Sequence, residues 1–175
     1  ETADLAARVR DGATLLREER VVDPVVDAVE RLTRVTEPAV AGALAVELCG
    51  LPVATALVLR VARARDDERR NELFHSCRVL GPAVAEILAT ALAEQEDRSA
   101  RRNLLSALVA LGDDGLRQAE RMVDETSPWM VVRNGVALLG ELGGEKAVAH
   151  LMDTLQHHKP QVRQETLTAL AQRSE

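Results

Sequence analysis

Few residues in this chain have both the type and the spacing for chemistry. His150, Asp153 and His157 stand at i, i+3 and i+7, which would set them on one helix face at a spacing compatible with metal ligation. A metal site needs further ligands from a second element, and His158 points elsewhere on the helix, so the triplet reads as a solvated polar face and no metal is expected. His75, between Phe74 and Ser76, reads as a packing or locally hydrogen-bonded residue rather than a base. Ser76, Ser99, Ser106, Ser127 and Ser174 lack any nucleophile-elbow sequence around them. Cys49 and Cys77 lie in apolar helical surroundings without CxxC spacing, so they read as small core residues in a reducing, cytoplasmic setting, not as a disulfide or a zinc site. No GxGxxG or Walker sequence occurs, and Gly140-x-x-Gly143-Gly144 reads as a helix terminus rather than a phosphate loop. The expectation is a non-enzyme with no catalytic residue and no cofactor.

The arginines carry more pattern. Arg60, Arg63, Arg65, Arg69 and Arg70 are interleaved with Asp66, Asp67, Glu68 and Glu72, a mixture that predicts i,i+4 pairs on a solvated helix face. The formal charge of 22 − 28 = −6 argues against a duplex-binding surface, because phosphate neutralisation needs a net basic face. Arg102, Arg133 and Arg163 recur at spacings of 31 and 30, which predicts a structural role: guanidinium groups stapling neighbouring repeats through carbonyls or carboxylates. Trp129 reads as a packing partner across a turn, with an exposed anchor as the alternative.

Helices must position these side chains. Of 175 residues 46% are hydrophobic, yet only Phe74 and Trp129 are aromatic and Tyr is absent, so a β-sandwich or barrel has almost no raw material. Gly50, Gly81, Gly112 and Gly143 are spaced 31, 31 and 31 apart, each after an apolar helical run, where a left-handed residue would end the helix. All six prolines (Pro24, Pro38, Pro52, Pro82, Pro128, Pro160) fall just before an amphipathic run, and Asp23-Pro24 and Ser127-Pro128 read as N-cap followed by first helical residue. Apolar periodicity predicts helices over about 2–18, 24–35, 38–49, 52–65, 67–80, 82–96, 98–111, 114–125, 128–142, 145–157 and 161–173. The longest apolar stretch, 39–59, is interrupted by Gly42, Glu47, Gly50 and Pro52 and does not read as a membrane span.

Helix pairs with a 31-residue period, each unable to bury its apolar stripe alone, describe an α-solenoid. The segments 101–112 (RRNLLSALVALG), 132–143 (VRNGVALLGELG) and 162–171 (VRQETLTALA) resemble the first helix of a bacterial HEAT-like repeat, and 147–155 (AVAHLMDTL) resembles its second. The resemblance is clearest from about residue 67 onward. It departs from the family pattern before Arg133 and Arg163, where Thr126-Ser127-Pro128 and His158-Lys159-Pro160 replace the acidic residue seen at Asp66, Asp67 and Asp97. The resemblance implies a right-handed all-α solenoid of about five antiparallel helix pairs plus an unpaired C-terminal helix. Its divisions would be a divergent pair over 1–37, repeats over 38–66, 67–97, 98–127 and 128–160, and a half repeat over 161–175.

The sequence opens at Glu1 and its last helix lacks a partner, so a fragment of a longer protein is expected. That last helix is expected to expose some of Val162, Leu167, Leu170 and Ala171 and to favour self-association. By resemblance, the function is a non-catalytic protein-interaction scaffold. The alternatives are an enzyme-associated module similar to bilin lyases or base-excision enzymes, or a nucleic-acid-binding solenoid, with nucleic acid disfavoured and no membrane partner expected. Helical phase places the candidate partner contacts on the second helices, at Arg60, Glu86, Arg117, Arg121, His150 and Asp153.

Overall fold

The structure, a computed structural model, describes residues 7, 8, 11, 12, 14, 22–34 and 38–172. Of the helix expected over 2–18, residues 7, 8, 11, 12 and 14 are described and are helical; the rest lies outside the described residues. Among those described there are ten helices and no strand. They are α1 (Asp23–Leu32), α2 (Pro38–Leu48), α3 (Leu51–Arg63), α4 (Asp67–Leu80), α5 (Pro82–Glu94), α6 (Arg98–Ala110), α7 (Asp113–Met122), α8 (Trp129–Leu142), α9 (Gly144–Thr154) and α10 (Pro160–Ala171). The chain is all-α, in the helical-repeat class that the glycine period indicates.

Local chemistry sets the helix ends. The Asp66 carboxylate accepts from the Arg69 N–H at 2.7 Å, and the Asp97 carboxylate accepts from the Ala100 N–H at 2.7 Å, so each satisfies a donor that the first helical turn leaves without a partner. The two caps expected elsewhere do not form. Asp23 is already the first residue of α1, where its charge favours the positive helix end without capping it, and Val22 occupies the cap position. Pro128, not Ser127, caps α8, and the Ser127 hydroxyl instead donates back to the Arg121 carbonyl at 3.4 Å.

Gly81, Gly112 and Gly143 have φ of 49°, 60° and 79°, a region open to glycine at no steric cost, and each makes a tight helix-to-helix turn. Gly50 is different, with extended φ −73° and ψ 168°. Only Cys49 and Gly50 separate α2 from α3, and Pro52 lies in the first turn of α3, so Gly50 opens the next helix instead of closing the last one. The two helices consequently meet at 103° rather than running antiparallel. No single helix among the described residues is long and apolar enough to cross a membrane.

The chain divides into two compact units, residues 1–87 and 88–175, with the sequence of α5 spanning the division. In the first unit α1 packs on α2, α3 and α4, and α2 and α3 both pack on α4. Val26, Val29, Leu57, Val61, Leu73 and Leu80 are buried among these helices. In the second unit α8 is the hub, touching α6, α7, α9 and α10 around Leu104, Leu108, Leu138, Leu139 and Leu151. Full burial of each such leucine contributes about 1.5–3 kcal/mol. Of the apolar residues expected to be partly exposed on the last helix, Leu167 and Ala171 are exposed, whereas Val162 is buried with Thr166 and Ala169.

Buried hydroxyls are satisfied in pairs. Thr33 donates to the Glu30 carbonyl at 2.8 Å and meets Ser76 Oγ at 2.9 Å. In the second unit Thr154 donates to the Leu151 carbonyl at 2.8 Å and meets Thr166 Oγ1 at 3.0 Å. Each hydroxyl has one hydrogen, so Ser76 and Thr166 donate either to that partner or to the carbonyl of Glu72 or Val162 on their own helix, and every hydroxyl oxygen of the pairs keeps a partner.

Helix α8 approaches its neighbours closely through glycine. A Cβ on Gly135 would stand 2.8 Å from Met122 Cβ and 2.9 Å from Val123 Cγ1, and one on Gly140 would stand 2.9 Å from Ala169 Cβ. Gly42 on α2 differs, since its Cβ would meet only Val79 Cγ1, at 3.3 Å. A glycine-to-alanine change inside a helix gains about 1 kcal/mol of intrinsic helix stability. Gly42→Ala is therefore expected to be neutral or slightly stabilising, whereas Gly135→Ala and Gly140→Ala lose about 1–3 kcal/mol net through overpacking. Urea denaturation of the three variants beside the parent checks this ordering, which a stabilised Gly135→Ala would contradict.

Candidate functional site

Arginines organise both units, in opposite ways. In the first unit α1 presents Glu30, only 3% exposed, to guanidinium groups from α3 and α4. Arg69 grips it in bidentate fashion, with Nη1 2.7 Å from Oε2 and Nη2 3.0 Å from Oε1, and Arg60 Nη1 donates to Oε1 at 2.9 Å. Arg60 also binds Asp27 and reaches Asp23 at 3.2 Å. Glu72 bridges Arg69 at 2.9 Å and Arg34 at 2.8 Å. Burial alone would lower the Arg60 pKa, but its hydrogen bonds to Asp27, Glu30 and Asp23 outweigh that and hold it above the ordinary arginine value. The hydrogen bond to Glu30 likewise raises Arg69. Arg70 pairs with Asp67 on its own helix. The charge run at 60–72 thus makes short-range i,i+3 pairs, but its strongest partner, Glu30, lies 30 and 39 residues away from Arg60 and Arg69.

In the second unit a groove of about 650 Å³ runs over the first helices of successive pairs. Its walls are Arg98, Arg101, Arg102 and Leu105 from α6, then Arg133, Asn134, Ala137 and Glu141 from α8, with Leu92 of α5 and Glu165 of α10 at its edges. Asn134 Nδ2 donates to the Leu92 carbonyl at 3.3 Å, which fixes its side-chain orientation. The Arg133 guanidinium lies 5.9 Å from the centre of the Trp129 ring. Among the described residues, none of these four arginines engages a carboxylate. The Asp97 carboxylate caps α6, and Arg98, Arg101 and Arg102 follow it in the first turns of the helix.

The positions singled out from the sequence are scattered by comparison. Arg60 is held inside the Glu30 cluster rather than presented to a partner. Arg117 pairs with Asp114 on its own helix, and His150 Nε2 lies 3.3 Å from Glu120 Oε1, bridging α9 to α7. Glu86, Arg121 and Asp153 are exposed on α5, α7 and α9. The histidine triplet does not share a face, because α9 ends at Thr154 and His157 lies in the following turn, stacked on His158 at 4.4 Å between ring centres. Among the described residues no three His, Cys, Asp or Glu side chains converge as metal ligands. His75 makes a tertiary contact, not a local one, with Nε2 2.8 Å from the Thr33 carbonyl.

The three periodic arginines divide. Arg163 Nη1 donates to the carbonyls of His157 at 2.8 Å and His158 at 3.2 Å, tying down the turn before its helix, whereas Arg102 and Arg133 line the groove. Burial, with added repulsion from Cys49 and Glu30, pushes the Cys77 thiol up to about 12, so at neutral pH it is an unreactive core group.

No protein-family model matches the chain, and no curated protein matches it in sequence. Among solved structures the chain is similar to the designed armadillo repeat protein YIII(Dq)4CqI, at 14% identity over 97% of this chain and 89% of that one, with a TM-score of 0.33. A similarity at that level carries no argument about function.

Two outcomes test the electrostatics. Glu30→Ala leaves Arg60 and Arg69 facing each other without their shared carboxylate. Both guanidinium groups keep some solvent contact, so the expected loss is about 2–4 kcal/mol, at or below the range for a fully buried pair, and urea denaturation measures it. His157 is lowered by partial burial first, then by His158, Arg163 and Lys159. Its proton therefore binds less readily in the folded state than in the unfolded one, so this group's contribution is present above its unfolded pKa of about 6.5 and is lost as pH falls below it. An NMR titration of the His157 ring should give a midpoint below that value.

Proposed function

We propose that the chain is a non-catalytic protein-interaction scaffold of HEAT-like repeats, working as part of a larger cytoplasmic protein. The observation that carries this reading is the groove of the second unit. It is an open concavity with a fixed amide, two glutamates and four arginines that form no ion pair among the described residues, built on helices held by their own packing. Stacked repeats produce such surfaces without a dedicated catalytic pocket. The groove lies on the first helices, so the interaction face is shifted from the second-helix positions Arg117, Arg121, His150 and Asp153 to Arg98, Arg101, Arg102 and Arg133.

Affinity capture from a lysate of the native host tests the reading. The tagged chain is run beside Arg98→Glu/Arg102→Glu and Arg117→Glu/Arg121→Glu, with nuclease present. The expected result is a specific protein that the groove variant loses and the second-helix variant keeps. Retention of nucleic acid alone, or of no specific species, would sink the scaffold reading. A partner lost only from the second-helix variant would return the face to α7 and α9.

A further inference from the structure

We propose that the groove of the second unit docks an acidic peptide segment of a protein partner. Carboxylates of that segment would lie against Arg98, Arg101, Arg102 and Arg133. The proposal rests on the scaffold reading and names the chemistry of its ligand. The first unit shows what arginines in this protein take when they are brought together: Arg34, Arg60 and Arg69 are saturated by Glu30, Glu72, Asp23 and Asp27, all from the same chain. Four arginines of the second unit are likewise brought to one groove, and among the described residues none of them forms an ion pair with a carboxylate. A peptide whose acidic side chains enter that groove reproduces the arrangement of the first unit across an interface.

The groove is also polar in one direction, and this favours a peptide over a nucleic acid. Glu141 stands eight residues beyond Arg133 on α8, about 12 Å along the helix, and Glu165 of α10 also lines the groove. A nucleic acid strand carries a phosphate at every nucleotide and would be repelled by these two carboxylates. A peptide can place acidic residues against α6 and Arg133 and basic or neutral ones against Glu141 and Glu165.

Fluorescence anisotropy with the purified chain tests this directly. The probes are a labelled peptide with a glutamate block followed by a lysine block, an uncharged serine-rich peptide of equal length, and a single-stranded RNA. The glutamate–lysine peptide should bind, weaken several-fold between about 50 and about 300 mM salt, and weaken about tenfold or more in Arg98→Glu/Arg102→Glu. The neutral peptide and the RNA should bind distinctly less tightly.

Circular dichroism and Tm verify that the variant is folded, and Arg98→Gln/Arg102→Gln replaces it should the reversal unfold the chain. Equal or tighter binding of the RNA, affinity indifferent to both groove variants, or no binding of the charged peptide each overturns the proposal. A protein partner captured from lysate by a chain that does not bind the acidic peptide leaves the scaffold standing and removes only its acidic ligand. Failure of both assays removes the two together.

Discussion

Within each unit a first helix packs on the next first helix along the sequence: α2 on α4 in the first, α6 on α8 and α8 on α10 in the second. A helix with one apolar stripe cannot bury it against its own pair member alone, so the stability of any pair is lent by the pair beside it. This shared burial explains why α8 can take glycine at 135 and 140, where most helices would lose stability for lack of a side chain. The missing Cβ atoms let α7 and α10 come close enough to bury Met122, Val162 and Ala169. It explains equally why the last helix is not left apolar on both sides. Val162 and Ala169 have a neighbour in α8 even though no helix follows α10 among the described residues.

Charge follows a second rule, which separates the units. In the first, carboxylates from α1 and α4 neutralise Arg60 of α3, Arg69 of α4 and Arg34 of the turn after α1, and a buried glutamate becomes tolerable because guanidinium groups occupy both of its oxygens. In the second, arginines gather on the first helices without forming such ion pairs among the described residues. A chain with net charge −6 thus carries a concentrated positive site, so net charge describes its average surface and not its interaction face.

Much of the fold was legible in the sequence because glycine and proline report backbone geometry locally. The 31-residue glycine period marked the turns at Gly81, Gly112 and Gly143, and apolar periodicity placed the helices within about three residues of where they lie. Gly50 fits the period but not the geometry, since its conformation is set by the early start of α3 rather than by the end of α2. The caps at Asp23 and Ser127 were misplaced for a similar reason: Asp-Pro and Ser-Pro look alike whether the polar residue caps a helix or begins one. The site was far less legible. Glu30 has no local signal that it will be buried, and its partners are brought to it only by tertiary packing. Arg102 and Arg133 were visible as a periodic pair, but whether an arginine staples a carbonyl, as Arg163 does, or faces a groove depends on acceptors that the linear pattern does not contain.

The left-handed glycine turns have a consequence for how such a chain can change over time. Gly143 is the single residue between two helices, and Gly112 follows Leu111 directly into α7, so these joints hold almost no slack to absorb a length change. Inserting or deleting one residue within a helix between Arg102 and Arg133 would rotate everything downstream by about 100° about the helix axis. That rotation would swing one half of the groove away from the other. Whole repeats can be gained or lost in such an architecture, but single residues cannot, so its evolutionary unit of length is the repeat and the arginine pair inherits that spacing as a fixed gauge.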